Sequence, residues 1–260
     1  MTGNNGMVFQ PRDRKLLEEL AVMRVIDREQ AKTVAGFGST TRVNARLLKL
    51  TRAGLLKRFF IGTSAGGKKA LYALSQKGAQ FLGVVNRSPQ RRNDEALIAD
   101  FFVEHQLAVN DIYCALKFGA MPPGLSFRRW QGFYQTLTKN LRLIPDGYVE
   151  IETPTGISAA FLELDLGSES LKVWKEKTRN YLQLAMSGEC EQQFGQSRFR
   201  VLVIAHSERR MQSIREAVSA TTQKLFWFGS LESINRDGLF APLWLRATGD
   251  ERLSLFKEQL

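Results

Sequence analysis

The order of apolar patterns between residues 13 and 74 constrains this chain most. Leu16, Leu17, Leu20, Ala21 and Met23 recur at helical spacing behind Asp13, which can cap a helix itself or through a neighbour. The pattern breaks at Val25 and Ile26. Asp27 then caps a second helix, with Glu29 and Gln30 in its first turn as in a capping box, running through Ala31 and Val34 to Gly36. After a turn over 36–39, Ser39 or Thr40 caps a third helix ending at Gly54, with Val43, Leu47, Leu48 and Leu50 facing inward. Residues 55–61 form a strand candidate, 62–69 a Gly-rich turn with two lysines, and 70–74 a second strand. Residues 75–82 begin a closing helix. Three helices followed by a hairpin describe a winged helix-turn-helix.

Charge supports this assignment. Residues 1–90 hold 16 Lys and Arg against 5 Asp and Glu, whereas residues 91–260 hold 21 of each. The whole net charge of +11 therefore sits in the first third. Such asymmetry fits a polyanion-binding module joined to a neutral one. Arg42, Arg46 and Lys49 share one face of the third helix, and Arg52 follows near its end. With Lys68 and Lys69 at the hairpin tip they form the expected contact set for double-stranded DNA, the helix lying in the major groove.

A polar, charged stretch over 86–94, containing Pro89, reads as a linker or loop between two periodic regions. The expected domains are 1–88 and 89–260. In the second, helices are expected over 95–103 and 109–118 and a strand over 130–137. Segments 141–151 and 156–167 read as strands joined by a turn at Pro154, Thr155 and Gly156. A helix over 168–185, a buried strand over 198–205, a helix over 207–221 and short strands at 225–228 and 242–245 complete a mixed α/β layer. The fold class is α+β.

The acids of this part admit two readings. Asp146, between Pro145 and Gly147, is either a turn residue or a ligand. Glu163 and Asp165 point to one face of a strand while Leu162, Leu164 and Leu166 point to the other, into the core. The acid face is either a solvated sheet edge or, with Asp146 on the partner strand, a Mg²⁺ (or Mn²⁺) site of hard oxygen ligands. On the following helix Leu171, Trp174, Thr178, Tyr181, Leu182 and Ala185 form the inward stripe, and Lys175 and Lys177 flank it on opposite sides. A flanking lysine either covers apolar surface with its stem or turns its charge to the acids. Tyr181 is either a nucleophile that forms a phosphotyrosine or a packing residue, and its inward position favours packing.

The motifs over 47–56, His105 with Asn110, Asp111 and Ile112, residues 144–147 (Ile-Pro-Asp-Gly), 161–170, Lys177 with Tyr181, 199–204 and Trp244 resemble the plasmid replication-relaxation family, which is related to the C-class mobilisation relaxases. The resemblance implies a variant PD-(D/E)xK nuclease fold. In it Asp146 and Glu163 hold metal, Asp165 is a third ligand or lies behind one, and Lys177 replaces the lysine that usually stands two residues after the Glu. It implies nicking of DNA in plasmid or mobile-element replication or mobilisation, with a plasmid origin and relaxosome proteins as partners. The rival expectation is a non-enzymatic DNA-binding regulator or relaxosome accessory protein with an inactive nuclease-like domain.

Other classes find no support in the residues. No apolar run approaches the roughly 20 residues of a membrane span, and residues 1–10 lack the apolar core of a signal peptide. Cys114 and Cys190 form no metal-spaced pair, which places the expected setting in a reducing cytoplasm. There is no Walker loop, Ser-His-Asp pattern or zinc spacing.

Overall fold

The computed structural model describes residues 8–62, 66–89 and 96–256. It divides into two compact units, residues 1–114 and 115–260.

The first unit opens with α1 (Pro11–Met23), α2 (Arg28–Ala35) and α3 (Thr40–Arg52), then the hairpin β1 (Leu56–Gly62) and β2 (Lys68–Leu74), then α4 (Gln76–Leu82). Local chemistry sets these boundaries. Asp27 accepts from the Gln30 amide at 2.8 Å while the Gln30 side chain accepts from the Asp27 amide, so two otherwise unpaired donors are satisfied together. Ser39 caps α3 and Ser75 caps α4. Asp13 is not the first cap: Gln10 is, and Asp13 accepts its amide from within the first turn. Leu16, Leu17, Leu20, Val43, Leu47 and Leu50 are fully buried and form the centre of this unit. The break at Val25 and Ile26 is a bridge, with Ile26 and Tyr72 exchanging both backbone bonds at 2.8 and 2.9 Å. Gly78 lets α4 close on the hairpin base, since a Cβ there would lie 2.1 Å from the Leu55 carbonyl oxygen.

Two expectations change here. The helices expected over 95–103 and 109–118 are one helix, α5 (Ala96–Phe118), because residues 104–108 contain no helix breaker. Residues 86–89, in the segment read as a linker or loop, carry no helix or strand and are tied to the hairpin. Ser88 Oγ donates to the Leu74 carbonyl at 2.8 Å, and Lys57 Nζ to that of Pro89 at 2.9 Å. Residues 90–94 of the expected linker and 63–65 of the hairpin turn lie outside the described residues. The compact boundary falls after Cys114 rather than at 88/89 because α5 packs into the first unit. Val103 and Leu107 meet Val25, Ile61 and Leu71, and Asn110 Nδ2 donates to the carbonyls of Met23 and Val25 at 3.1 and 2.6 Å.

The second unit holds a six-stranded mixed sheet ordered β3-β4-β5-β6-β7-β8. Its strands are β3 (Ser126–Gln131), β4 (Gly147–Thr153), β5 (Gly156–Asp165), β6 (Arg200–Ala205), β7 (Phe226–Ser230) and β8 (Leu245–Arg246). β3, β4 and β5 run antiparallel in turn, β5–β6 and β6–β7 are parallel, and β8 closes antiparallel. Between them lie α6 (Leu171–Ser187), α7 (Glu189–Phe194), α8 (Glu208–Ser219) and α9 (Leu231–Asp237). α7 and α9 were not anticipated, each being too short to show a period, and the strand expected over 130–137 lies instead at 126–131. One sheet face carries Phe161, Val201, Val203, Phe226 and Phe228 against Trp174, Tyr181 and Leu184 of α6 and Met211, Ile214 and Val218 of α8. Burying a side chain such as Phe161 contributes about 2–3 kcal/mol.

This face corrects the strand reading of β5. Phe161 belongs to the helix-covered core, so Glu163 and Asp165, two and four residues on, point into that same layer. They are 1% exposed each. Neither lies on a solvated edge, because the helices supply partners that let both acids be buried.

Candidate active site and nucleic-acid interface

The acid site forms where β4 begins and β5 ends. Asp146 stands just before β4, its amide donating to the Leu162 carbonyl at 3.0 Å and its Oδ2 accepting from the Leu164 amide at 2.7 Å. The carboxylate is thereby locked beside Glu163. Gly147 is required by the same turn: a Cβ there would lie 2.4 Å from the Trp130 indole.

Glu163 is the centre. Lys177 Nζ donates to its Oε2 at 2.7 Å and the Tyr181 hydroxyl to its Oε1 at 2.6 Å. Burial pushes its carboxyl up to about 7, Asp146 adds to the rise, and Lys177 and Tyr181 oppose it. Lys177 also pairs with Glu169 Oε1 at 2.7 Å. Burial alone would lower the Lys177 ammonium, yet the two carboxylates outweigh it and hold the group above its usual value. Of the two flanking lysines, the fold turns Lys177 toward the acids and leaves Lys175 exposed.

Asp165 has a different part. Its Oδ1 accepts from the Gly167 amide at 2.7 Å and Arg210 Nε at 3.0 Å, and its Oδ2 from Trp174 Nε1 and Arg210 Nη2, both at 2.8 Å. All four lone-pair positions are used. Burial alone would raise this carboxyl, but the Arg210, Trp174 and Gly167 bonds prevail and hold it below the usual range. The structure thus brings Asp146, Glu163 and Lys177 together and gives Asp165 to Arg210 and Trp174. Among the described residues no group of three or more His, Cys, Asp and Glu is placed to hold a metal ion.

Sequence reasoning missed Glu169, Arg210 and the bond made by Tyr181. Glu169 lies only six residues past Glu163, but no period marks a loop acid. Arg210 is 45 residues from Asp165. Tyr181 does pack inward, and its hydroxyl also reaches Glu163. It is fully buried, and burial and the Glu163 charge hold that hydroxyl well above its usual value. His105 lies in the first unit and His206, exposed, follows β6 beside Gly167.

In the first unit Arg42, Lys49 and Arg52 are exposed on α3, and Lys68 is exposed on the hairpin. Lys69 pairs with Asp27 at 2.6 Å and is also exposed. Arg46 departs from its expected place. Its guanidinium pairs with the fully buried Asp13, with Nε donating to Oδ1 at 2.6 Å, and Nη2 donates to the Val8 carbonyl at 2.7 Å. It joins α3 to α1, and its bonds are spent inside the unit. Arg46→Ala is therefore expected to lower the stability of this unit by about 3 kcal/mol, because Asp13 would be left buried and unpaired. Denaturant melts check this; unchanged stability with weaker DNA binding would return Arg46 to the contact set. A cleft of about 430 Å³ lies between α3 and the hairpin, lined by Thr41, Asn44, Ala45, Leu48, Arg58 and Tyr72. Arg58 and Asn44 were not in the sequence-derived set.

Among curated proteins and among solved structures, none matches the chain. A family model described as replication-relaxation matches residues 17–197, which include α2, α3, the hairpin, Asp146, Glu163 and Lys177. That match spans most of the 260 residues, and the chain belongs to the replication-relaxation family.

Proposed function

We propose that this protein is a DNA-nicking enzyme of plasmid or mobile-element replication or mobilisation, with a winged-helix DNA-binding unit and a PD-(D/E)xK-like nuclease unit. The family's name, replication-relaxation, agrees with action on DNA. The observation that carries the reading is the convergence of Lys177 on Glu163 beside Asp146, from a helix and two neighbouring strands. An acid pair with an adjacent ammonium suits phosphodiester hydrolysis.

The donor set fits Mg²⁺ or Mn²⁺, which are commonly held by one or two carboxylates with water and substrate phosphate completing the shell. Glu169 Oε2, across Lys177 from Glu163, is buried without a hydrogen-bond partner, which leaves an acceptor oxygen open in this corner. Asp146 and Glu163 would hold the ion, which would supply an activated water and stabilise the leaving oxygen. Lys177 would place its charge at the scissile phosphate, and Tyr181 would orient Glu163. With its hydroxyl fully buried on Glu163, Tyr181 is poorly placed as a covalent nucleophile, which favours hydrolysis. Asp165 would brace α6 and α8 rather than bind the ion.

A non-enzymatic DNA-binding role is favoured by one observation: both Glu163 oxygens already hold donors, in a closed arrangement. Incubation of the full chain with supercoiled plasmid and Mg²⁺ or Mn²⁺ separates the two. Open-circular product from the wild type and none from Asp146→Ala is the expected result. Absence of nicking on any plasmid tested, with no calorimetric metal binding, would leave the accessory role.

A further inference from the structure

We propose that Arg200 and Arg246, set about the Trp227 indole on the sheet face away from α6 and α8, form a second anion site that takes a backbone phosphate of DNA. The placement follows from strand alternation. Val201 and Val203, Phe226 and Phe228, and Leu245 and Ala247 belong to the helix-covered core. Arg200, Trp227 and Arg246, between or beside them, therefore point the other way. Trp227 and Arg246 are direct cross-strand partners, and Arg200 lies on the neighbouring parallel strand. The guanidinium carbons stand 4.6 Å (Arg200) and 5.6 Å (Arg246) from the ring centroid.

What makes this an anion site, and not only a stacked pair, is the lack of an acid. Arg200 Nη1 is buried and has no hydrogen-bond partner among the described residues. No ion pair is found for either guanidinium among those residues. The sequence explains why: 195–207, 217–231 and 238–249, which contain the three strands, hold no Asp or Glu. Arg129 offers the contrast, since its buried Nη2 lies 3.1 Å from Glu150 Oε1. Two like charges close together, one of them partly buried, are costly unless an anion joins them. Burial, and then the Arg246 charge, lower the Arg200 group from its usual value, which fits the same deficit. Two planar forks beside one another suit phosphate oxygens. Choosing DNA as the source of that phosphate rests on the proposed function above.

The test uses the full chain and a labelled duplex, with affinity measured over a range of salt. Each lost phosphate contact should flatten the slope of log affinity against log salt by about 0.9. Arg246→Met, at an exposed position, and Arg200→Met should each show such a loss, with helical content checked by circular dichroism. Arg200→Lys serves if Arg200→Met fails to fold. In parallel, inorganic phosphate is titrated while tryptophan emission is followed; a change that vanishes in Trp227→Phe supports the site. Slopes equal to wild type and no emission change would overturn the proposal. An emission change with unaltered slopes would overturn the assignment to DNA and leave a site for a free phosphate compound. If the wild type binds no duplex at any salt, the DNA reading itself falls, and the phosphate titration alone decides the anion site.

Discussion

Lys177→Met is expected to reduce plasmid nicking by roughly 10²–10³-fold, the usual loss when a preorganised group that stabilises transition-state charge is removed. DNA affinity should change little, since neither the basic residues of the first unit nor the Arg200 and Arg246 pair is altered. The comparison with Lys175→Met gives the prediction its force. Both lysines flank the same buried stripe, yet Lys177 Nζ lies 2.7 Å from Glu163 and Lys175 is exposed. Lys175→Met should nick as wild type. Met nearly preserves the length of the stem, so packing over Trp174, whose ring centroid lies 5.1 Å from Nζ, is kept while charge is lost. A thermal melt separates chemistry from folding, because Glu163 loses a partner in this variant. Were Lys177→Met to fold and nick at full rate, no role for Lys177 in the reaction would survive.

Asp165→Asn is expected to cost about 3–5 kcal/mol of stability in the second unit, because it breaks a largely buried ion pair. For a unit of this size that lowers the melting midpoint by on the order of 10 °C. The amide nitrogen of Asn would face a donor on at least one side, where Asp165 now accepts from Arg210, Trp174 and Gly167. This outcome separates the structure from the ligand role that the sequence suggested for Asp165. A variant as stable as wild type but unable to nick would restore that role.

The parts of the fold legible in the sequence are those decided by near neighbours. Asp27 with Gln30, Ser39 before α3, and two strands around a Gly-rich turn are local chemistry, and the structure repeats them. Asp146, Glu163 and Lys177 were legible through the family resemblance, since neither helical nor strand periodicity says which acid a lysine meets. What the sequence hid depends on distant partners. Arg46 reads as one of a row of exposed basic residues, but Asp13, 33 positions earlier, takes its guanidinium. Asp165 reads as half of an acid pair, but Arg210 engages both its oxygens. The face of Glu163 is hidden for a related reason: alternation tells which residues share a face, not which face the helices cover.

The continuous α5 changes what can be separated from what. A piece cut at residue 88 would strip Val103 and Leu107 from Val25, Ile61 and Leu71, and would remove the Asn110 amide from the carbonyls of Met23 and Val25. The heritable, exchangeable block is thus not the three helices and hairpin alone. Recombination between relatives that joined one binding half to another's second half would keep the recipient's surface intact only with its crossover past Asn110, inside a helix, where a shift of a single residue turns every later side chain by about 100°. Grafting a new binding half onto this chain, by evolution or at the bench, therefore has to preserve helical phase as well as sequence.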